Sequence, residues 1–181
     1  MRKTNLRIFM IIVLAIITSF IGVYKYNKNS IVVIDKDKTF IFSKGQDQLI
    51  DINNDNIPDF KCTSKPSGNR FHQLIVPLDK KNKIIRSKDI LKTEELIDDH
   101  IVFSEQFNFN DLGNEEHADI TNKYIGVKFQ INNCSHYGWI KFSSYVKGNT
   151  TKNTPIYYQK IVFHIQETAY NKRCEQPLSI K

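Results

Sequence analysis

The sequence predicts an all-β fold, an antiparallel β-sandwich or jelly roll preceded by one N-terminal hydrophobic helix. Three observations predict it. A charge-free apolar run follows a basic stub at the N-terminus. Short apolar segments separated by polar turns fill the remainder. In the last third, apolar and polar residues alternate with a period of two, the pattern of a strand with one buried face.

The first element is the apolar run. Met1 to Arg7 holds Arg2, Lys3 and Arg7 and no acid, and Ile8 to Tyr24 carries no charge. This is the layout of a signal peptide or an uncleaved signal anchor. As a helix at about 1.5 Å per residue it reaches roughly 25 Å, near the lower limit for a bilayer core of about 30 Å. Ile17-Thr18-Ser19 is the best small-residue cleavage candidate, without an A-x-A. An anchor is therefore favoured over a cleaved signal, with a buried core helix as the remaining reading. No Cys directly follows the run, which argues against a lipoprotein. The basic stub stays cytoplasmic and sends the bulk of the chain outward; Lys25 and Lys28 weaken that bias without reversing it. Two regions follow: 1–28, a signal anchor or signal peptide with a short linker, and 29–181, an exported domain. The expected location is the cell envelope, outside the cytoplasm and tethered to the cytoplasmic membrane through residues 8–24, or secreted if the signal is cleaved.

Five of the 26 Lys and Arg and none of the 19 acids lie in residues 1–28, so the rest carries 26 − 5 − 19 = +2. A nucleic-acid binder shows a basic patch or a strongly basic domain; this domain shows neither, and no nucleic acid is expected. The three cysteines, Cys62, Cys134 and Cys174, allow one bridge with one thiol left over, or three thiols.

Within the exported region, Ile31 to Ile34 and Thr39 to Phe42 flank Asp35-Lys-Asp-Lys38 like the arms of a hairpin. Leu49 to Ile52 enters an Asn/Asp-rich loop and Ile57 to Thr63 leaves it. Pro66 and Gly68 mark Ser64 to Asn69 as a turn. Phe71 to Val76 and Lys83 to Arg86 read as strands, and Lys88 to His100 as the one stretch that could be a short helix. Tyr124 to Ile131, His136 to Val146 and Ile156 to Tyr170 then read as a three-stranded meander, with Tyr157, Ile161, Phe163 and Ile165 on one face. If a disulfide forms, this meander puts Cys134 and Cys174 at one edge, with Cys62 elsewhere.

The most specific short motif is Asp51-Ile-Asn-Asn-Asp-Asn-Ile-Pro-Asp59. Side-chain oxygens recur at Asp51, Asn53, Asp55 and Asp59, with a backbone carbonyl at Ile57. Calcium takes six to eight hard oxygen ligands, and a loop that curls round the ion presents alternate positions to it. Position six, where such loops turn left-handed, is Asn56; position twelve is Cys62 rather than a bidentate Glu. The expectation is a weak, structural calcium site. The competing reading is an Asx-rich turn whose side chains hydrogen-bond the backbone.

Asp51 to Phe60 resembles the D-x-N-x-D-G-I-x-D-F loop of a group of secreted bacterial proteins. Tyr124-Ile-Gly-Val-Lys-Phe129 is similar to their Y-I-G-F-R-F strand, His136-Tyr-Gly-Trp-Ile140 to their H-Y-G-W strand, and Glu167 to Asn171, followed by Pro177, to their closing A-Y-E segment. The matches keep their order over roughly residues 48–178. Such proteins often carry PEP-CTERM or type IX sorting tails; Lys181 ends this sequence without one, which fits an N-terminal tether. The resemblance implies an exported β-sandwich with a calcium-type loop and assigns no reaction.

His136, Tyr137 and Trp139 are either a sugar-stacking platform or strand residues packed in the sandwich, with Gly138 admitting a close backbone approach. Glu115, Glu116, His117 and Asp119 could assist a second metal but read more simply as a solvated loop. No G-x-S-x-G, H-E-x-x-H, P-loop or G-x-G-x-x-G occurs. The expected function is a non-catalytic envelope protein, a calcium-stabilised module that binds an extracellular ligand or protein. The alternatives are a carbohydrate-active hydrolase and a lectin-like sugar binder.

Overall fold

The computed structural model describes residues 30–41, 47–67, 70–86, 90–112, 120–147 and 160–180. The apolar run 8–24, Tyr157 and the 115–119 cluster lie outside them. Among the described residues no helix is long and apolar enough to cross a membrane.

Among the described residues, twelve strands form antiparallel sheets: β1 Ile31–Ile41, β2 Gln48–Ile50, β3 Phe60–Ser67, β4 Arg70–Pro77, β5 Lys83–Ile85, β6 Leu96–Ile97, β7 Phe103–Ser104, β8 Phe107–Asn108, β9 Ile120–Ile131, β10 Cys134–Lys147, β11 Lys160–Asn171 and β12 Leu178–Ser179. A six-stranded sheet runs β1-β11-β10-β9-β5-β7, a four-stranded one β2-β3-β4-β8, and β6 pairs with β12. The meander is β9-β10-β11, joined by β1 along β11. Alternation makes both of its faces apolar. Ile125, Val127, Phe129, Ile140 and Phe142 are fully buried on one side, and Tyr124, Tyr137 and Trp139 are buried on the other.

The first of these faces packs on the four-stranded sheet. Phe40, Phe142 and Phe163 meet Phe107 and Phe109 in a cluster whose ring centroids lie 5.0 to 6.5 Å apart. Such tilted and edge-on contacts add to the burial energy of the rings. The second face is covered by residues 90–104 and the C-terminal segment. A Cβ on Gly126 would stand 2.9 Å from Ile85 and 3.0 Å from Leu91, so this covering layer needs the missing side chain.

Three local expectations are corrected. Residues 31–41 are one strand rather than two arms of a hairpin, because β11 offers β1 a continuous partner from Ile31↔Asn171 to Ile41↔Val162. The Asp35–Lys38 run is accommodated as a bulge, with Asp37 at φ 37°. The β10–β11 pairing steps at the same place, between Lys141 and Phe142, so both irregularities meet at Gln166 of β11. Pro66 does not begin a turn; β3 continues to Ser67 opposite Arg70. Among the described residues, β2 pairs with β3 from Gln48↔Cys62 to Ile50↔Phe60, and the part of β3 that carries Pro66 pairs with β4. The described part of 88–100 is not helical: it consists of a bridge from Leu91 to Tyr124, turns and the short strand β6. Glu94 has φ 73°, outside the helical region, and Leu91 and Ile97 point together onto Gly126, which exchanges a helical ladder for burial on the sheet.

Candidate functional site

The Asp51–Asp59 loop joins β2 to β3 and is knotted by its own side chains. The Asp51 carboxylate accepts the backbone N–H of Asn54 (2.7 Å) and of Asn56 (2.9 Å). The Asn53 amide oxygen accepts the N–H of Asp55 (3.2 Å), and Asp55 accepts that of Ile57 (2.8 Å) and the Asn53 amide (2.8 Å). Asn54 and Asn56 are left-handed, φ 64° and 68°, a conformation that asparagine tolerates better than other L residues.

This knot is fastened to the core at Ile52 and Asp59. Ile52 is fully buried, and its carbonyl accepts the Thr168 hydroxyl of β11 at 2.8 Å. Its N–H donates to the Asp59 carboxylate at 2.8 Å. The Asp59 carbonyl in turn accepts the N–H of Leu78 (3.0 Å) and the Asn82 amide (3.3 Å). Asp59 is only 6% exposed. Burial is the main reason its carboxyl is raised to about 7; the Ile52 N–H opposes the rise, and the negative charges of Asp51 and Asp55 add to it.

Lys36, on the β1 bulge, donates to the Asn54 amide oxygen at 3.2 Å. Burial holds its ammonium below the ordinary lysine value, against the pull of Asp51. No pattern in the loop sequence pointed to Lys36, Asn82 or Thr168, since only the packing of β1, β5 and β11 brings them there.

Asp51, Asn53, Asp55 and Asp59, with the Ile57 carbonyl, are the groups that could hold a hard cation, and their donor chemistry fits calcium. Their arrangement is less favourable. Among the described residues, no three His, Cys, Asp or Glu side chains gather where one ion could touch them all. Asp51 and Asp55 are turned onto the backbone instead, which is the geometry of Asx turns.

The aromatic segment of β10 is core. Tyr137 is 1% and Trp139 5% exposed, so neither ring offers a stacking surface. Trp139 packs edge-on against Tyr124 with centroids 5.2 Å apart. The Tyr137 hydroxyl donates to Asp99, which also accepts Lys128 (2.8 Å), and that ammonium lies 5.0 Å from the Tyr137 ring centroid. His136 is buried with Nδ1 at 2.8 Å from the Asn171 carbonyl. A Cβ on Gly138 would meet the Ala169 carbonyl at 2.7 Å. The platform reading of His136, Tyr137 and Trp139 is therefore replaced by a packing role, because both faces of β10 are covered from His136 to Ile140.

Cys134 and Cys174 form a disulfide with Cα atoms 5.7 Å apart. It fastens the C-terminal segment beside the β9–β10 hairpin, where the Glu175 N–H also donates to the Ser135 carbonyl at 2.8 Å. Cys62 is a buried thiol, and desolvation pushes its pKa far up, which keeps it protonated.

The described residues define an antiparallel all-β unit with one disulfide and an Asx-knotted loop fastened to its core. No protein-family model, curated protein or solved structure matches the chain.

Proposed function

We propose that the chain is an exported, non-catalytic envelope protein: a calcium-stabilised β-sandwich, tethered to the cytoplasmic membrane through residues 8–24, that serves outside as a binding or interaction module. The observation that carries this reading is the Cys134–Cys174 bridge in a chain that opens with a basic stub and a charge-free run. Disulfides persist where thiols are oxidised, outside the cytoplasm of most cells. The common core of the six- and four-stranded sheets supports the sandwich.

The non-catalytic reading is supported by the state of the surface acids. Glu167 is paired with Lys141 at 2.8 Å, Asp99 with Lys128 at 2.8 Å, and Asp37 lies 3.4 Å from His164. Asp35, Asp37 and Glu167 border a shallow open depression rather than a closed cleft. Calcium is supported by the oxygen donors of the loop and by the negative charges of Asp51 and Asp55, which add to the rise of the Asp59 carboxyl and which a divalent cation would offset.

Protease treatment of spheroplasts carrying a C-terminally tagged chain tests the location. The tag is lost without lysis, and denaturation exposes one alkylatable thiol, that of Cys62. A chain retained in the cytosol with all three thiols free overturns the reading. Millimolar calcium raises the melting temperature of the native chain, and joint Asp51→Ala and Asp55→Ala substitution abolishes the rise. If the native chain shows no rise, calcium is removed from the proposal.

A further inference from the structure

We propose that the cavity between the β1 bulge and the Asp51–Asp59 loop binds a small anionic group carried on an apolar stem, such as an aliphatic or aromatic carboxylate. The inference gives a ligand class to the binding module proposed above; it takes its biological role from that reading and its geometry from the cavity alone.

The cavity measures about 430 Å3, within the range of roughly 300–1,000 Å3 typical of small-molecule sites. Phe40, Ile50 and Ile165, all buried core residues, form its apolar wall, continued by the half-exposed Leu49. The charged part of the lining carries both signs, Lys36 and Lys38 against Asp35 and Asp51.

Spare hydrogen-bonding capacity decides which sign recognises a ligand. Both Asp51 oxygens already accept backbone N–H groups of the loop, and the Asn54 amide oxygen already accepts Lys36. Asp35 shares its position with the open depression on the other face of β1. Compared with Asp51, the two ammonium groups are less occupied. Each has three donors. Lys36 has a 3.2 Å bond to the Asn54 amide, and Lys38 a long 3.5 Å contact to the Leu49 carbonyl. Both partners are neutral oxygens, and among the described residues neither lysine closes an ion pair. Lys38 also lies 5.3 Å from the centroid of the Phe40 ring, which places its charge at the edge of the apolar wall.

Two neighbouring ammonium groups with unspent donors suit an anionic acceptor, because hydrogen bonds between charged partners are roughly twice as strong as neutral ones. The apolar wall beside them suits the body of the same molecule. A bare inorganic anion would leave that wall unused, and a neutral hydrophobe would leave the donors unused.

Isothermal titration of the full-length chain in nanodiscs, against empty nanodiscs, tests the assignment with 1-naphthoate and its neutral counterpart 1-naphthamide. Naphthoate binds, naphthamide binds at least about tenfold more weakly, and joint Lys36→Met and Lys38→Met substitution weakens naphthoate by about tenfold or more, the loss expected from one charge-assisted hydrogen bond. Equal binding of the two probes overturns the proposal, as does naphthoate binding that survives the double substitution. So does the absence of naphthoate binding up to about 10 mM, a ceiling weaker than any useful site. The naphthamide comparison needs no variant, so it stands even where the double substitution unfolds the chain. These outcomes concern the cavity only; failure of the exported-module reading shows separately, as retention of the tagged chain in the cytosol.

Discussion

Replacing Asp59 by Asn should stabilise this protein at alkaline pH, although it alters a buried residue that ties two strands together. Asparagine keeps an oxygen to accept the Ile52 N–H, now made at 2.8 Å, and removes the charge. The folded state raises the Asp59 carboxyl to about 7, against about 3.9 in an unfolded chain. A raised carboxyl means that the native state holds a proton which the unfolded state has released. The associated stability is fully present below about pH 4 and is lost as pH rises through about 7. Three pKa units correspond to a ceiling of about 4 kcal/mol, of which about 3 kcal/mol falls between pH 5 and pH 8.5. Urea unfolding followed by the emission of Trp139, the single tryptophan and a buried one, reads this directly. The native chain should lose about 3 kcal/mol across that interval. Asp59→Asn should be nearly flat and more stable than the native chain by a similar amount at pH 8.5. Calcium bound at Asp59 would hold the carboxylate ionised and flatten the native profile at high pH, without effect on the variant. A flat native profile in the absence of calcium, or a variant that is less stable at pH 8.5, would refute the account of Asp59 as a buried, repelled carboxyl.

Two further substitutions test how the loop and the meander are held. Gly138→Ala should cost about 1–3 kcal/mol by urea unfolding, because its Cβ would press on the Ala169 carbonyl at 2.7 Å and backbone cannot swing aside as a side chain can; an unchanged midpoint would mean the β10–β11 spacing is slack. Thr168→Val keeps the shape but removes the hydroxyl that donates to the Ile52 carbonyl at 2.8 Å. It should cost about 1–3 kcal/mol, the penalty of leaving a buried acceptor without a partner, and should speed hydrogen exchange in the loop before it affects β9 or β10. Equal acceleration in loop and meander would show that the loop is not held separately.

The meander was legible in the sequence because period-two alternation is a local property of each strand. Ile125, Val127 and Phe129 announce a buried face whatever lies against it. The Asx loop was legible for the same reason, since Asp51, Asn53 and Asp55 bond to backbone groups two to five residues away. Local chemistry misled at the β1 bulge and at Pro66. Both carry turn-forming residues, yet both lie in strands, because the ladder offered by β11 and β4 outweighs the local preference. The stretch after Lys88 misled for a related reason: its apolar residues are spaced loosely enough for a helix, but Leu91 bridges to Tyr124, β6 pairs with β12, and Leu91 and Ile97 pack over Gly126.

The sequence by itself determined the charge-free run 8–24, the all-β character of the described residues and the oxygen-rich composition of residues 51–59. Each depends on residues near one another in the chain. The tertiary structure alone decided that β1 docks on β11, that Lys36 reaches the loop, that Thr168 and Asn82 anchor it, and that Tyr137 and Trp139 face inward. Those contacts join residues as far apart as Ile52 and Thr168, separated by 116 positions. Such a pairing depends on which sheet faces pack together, and strand patterns specify that a face is apolar without naming the face that will cover it.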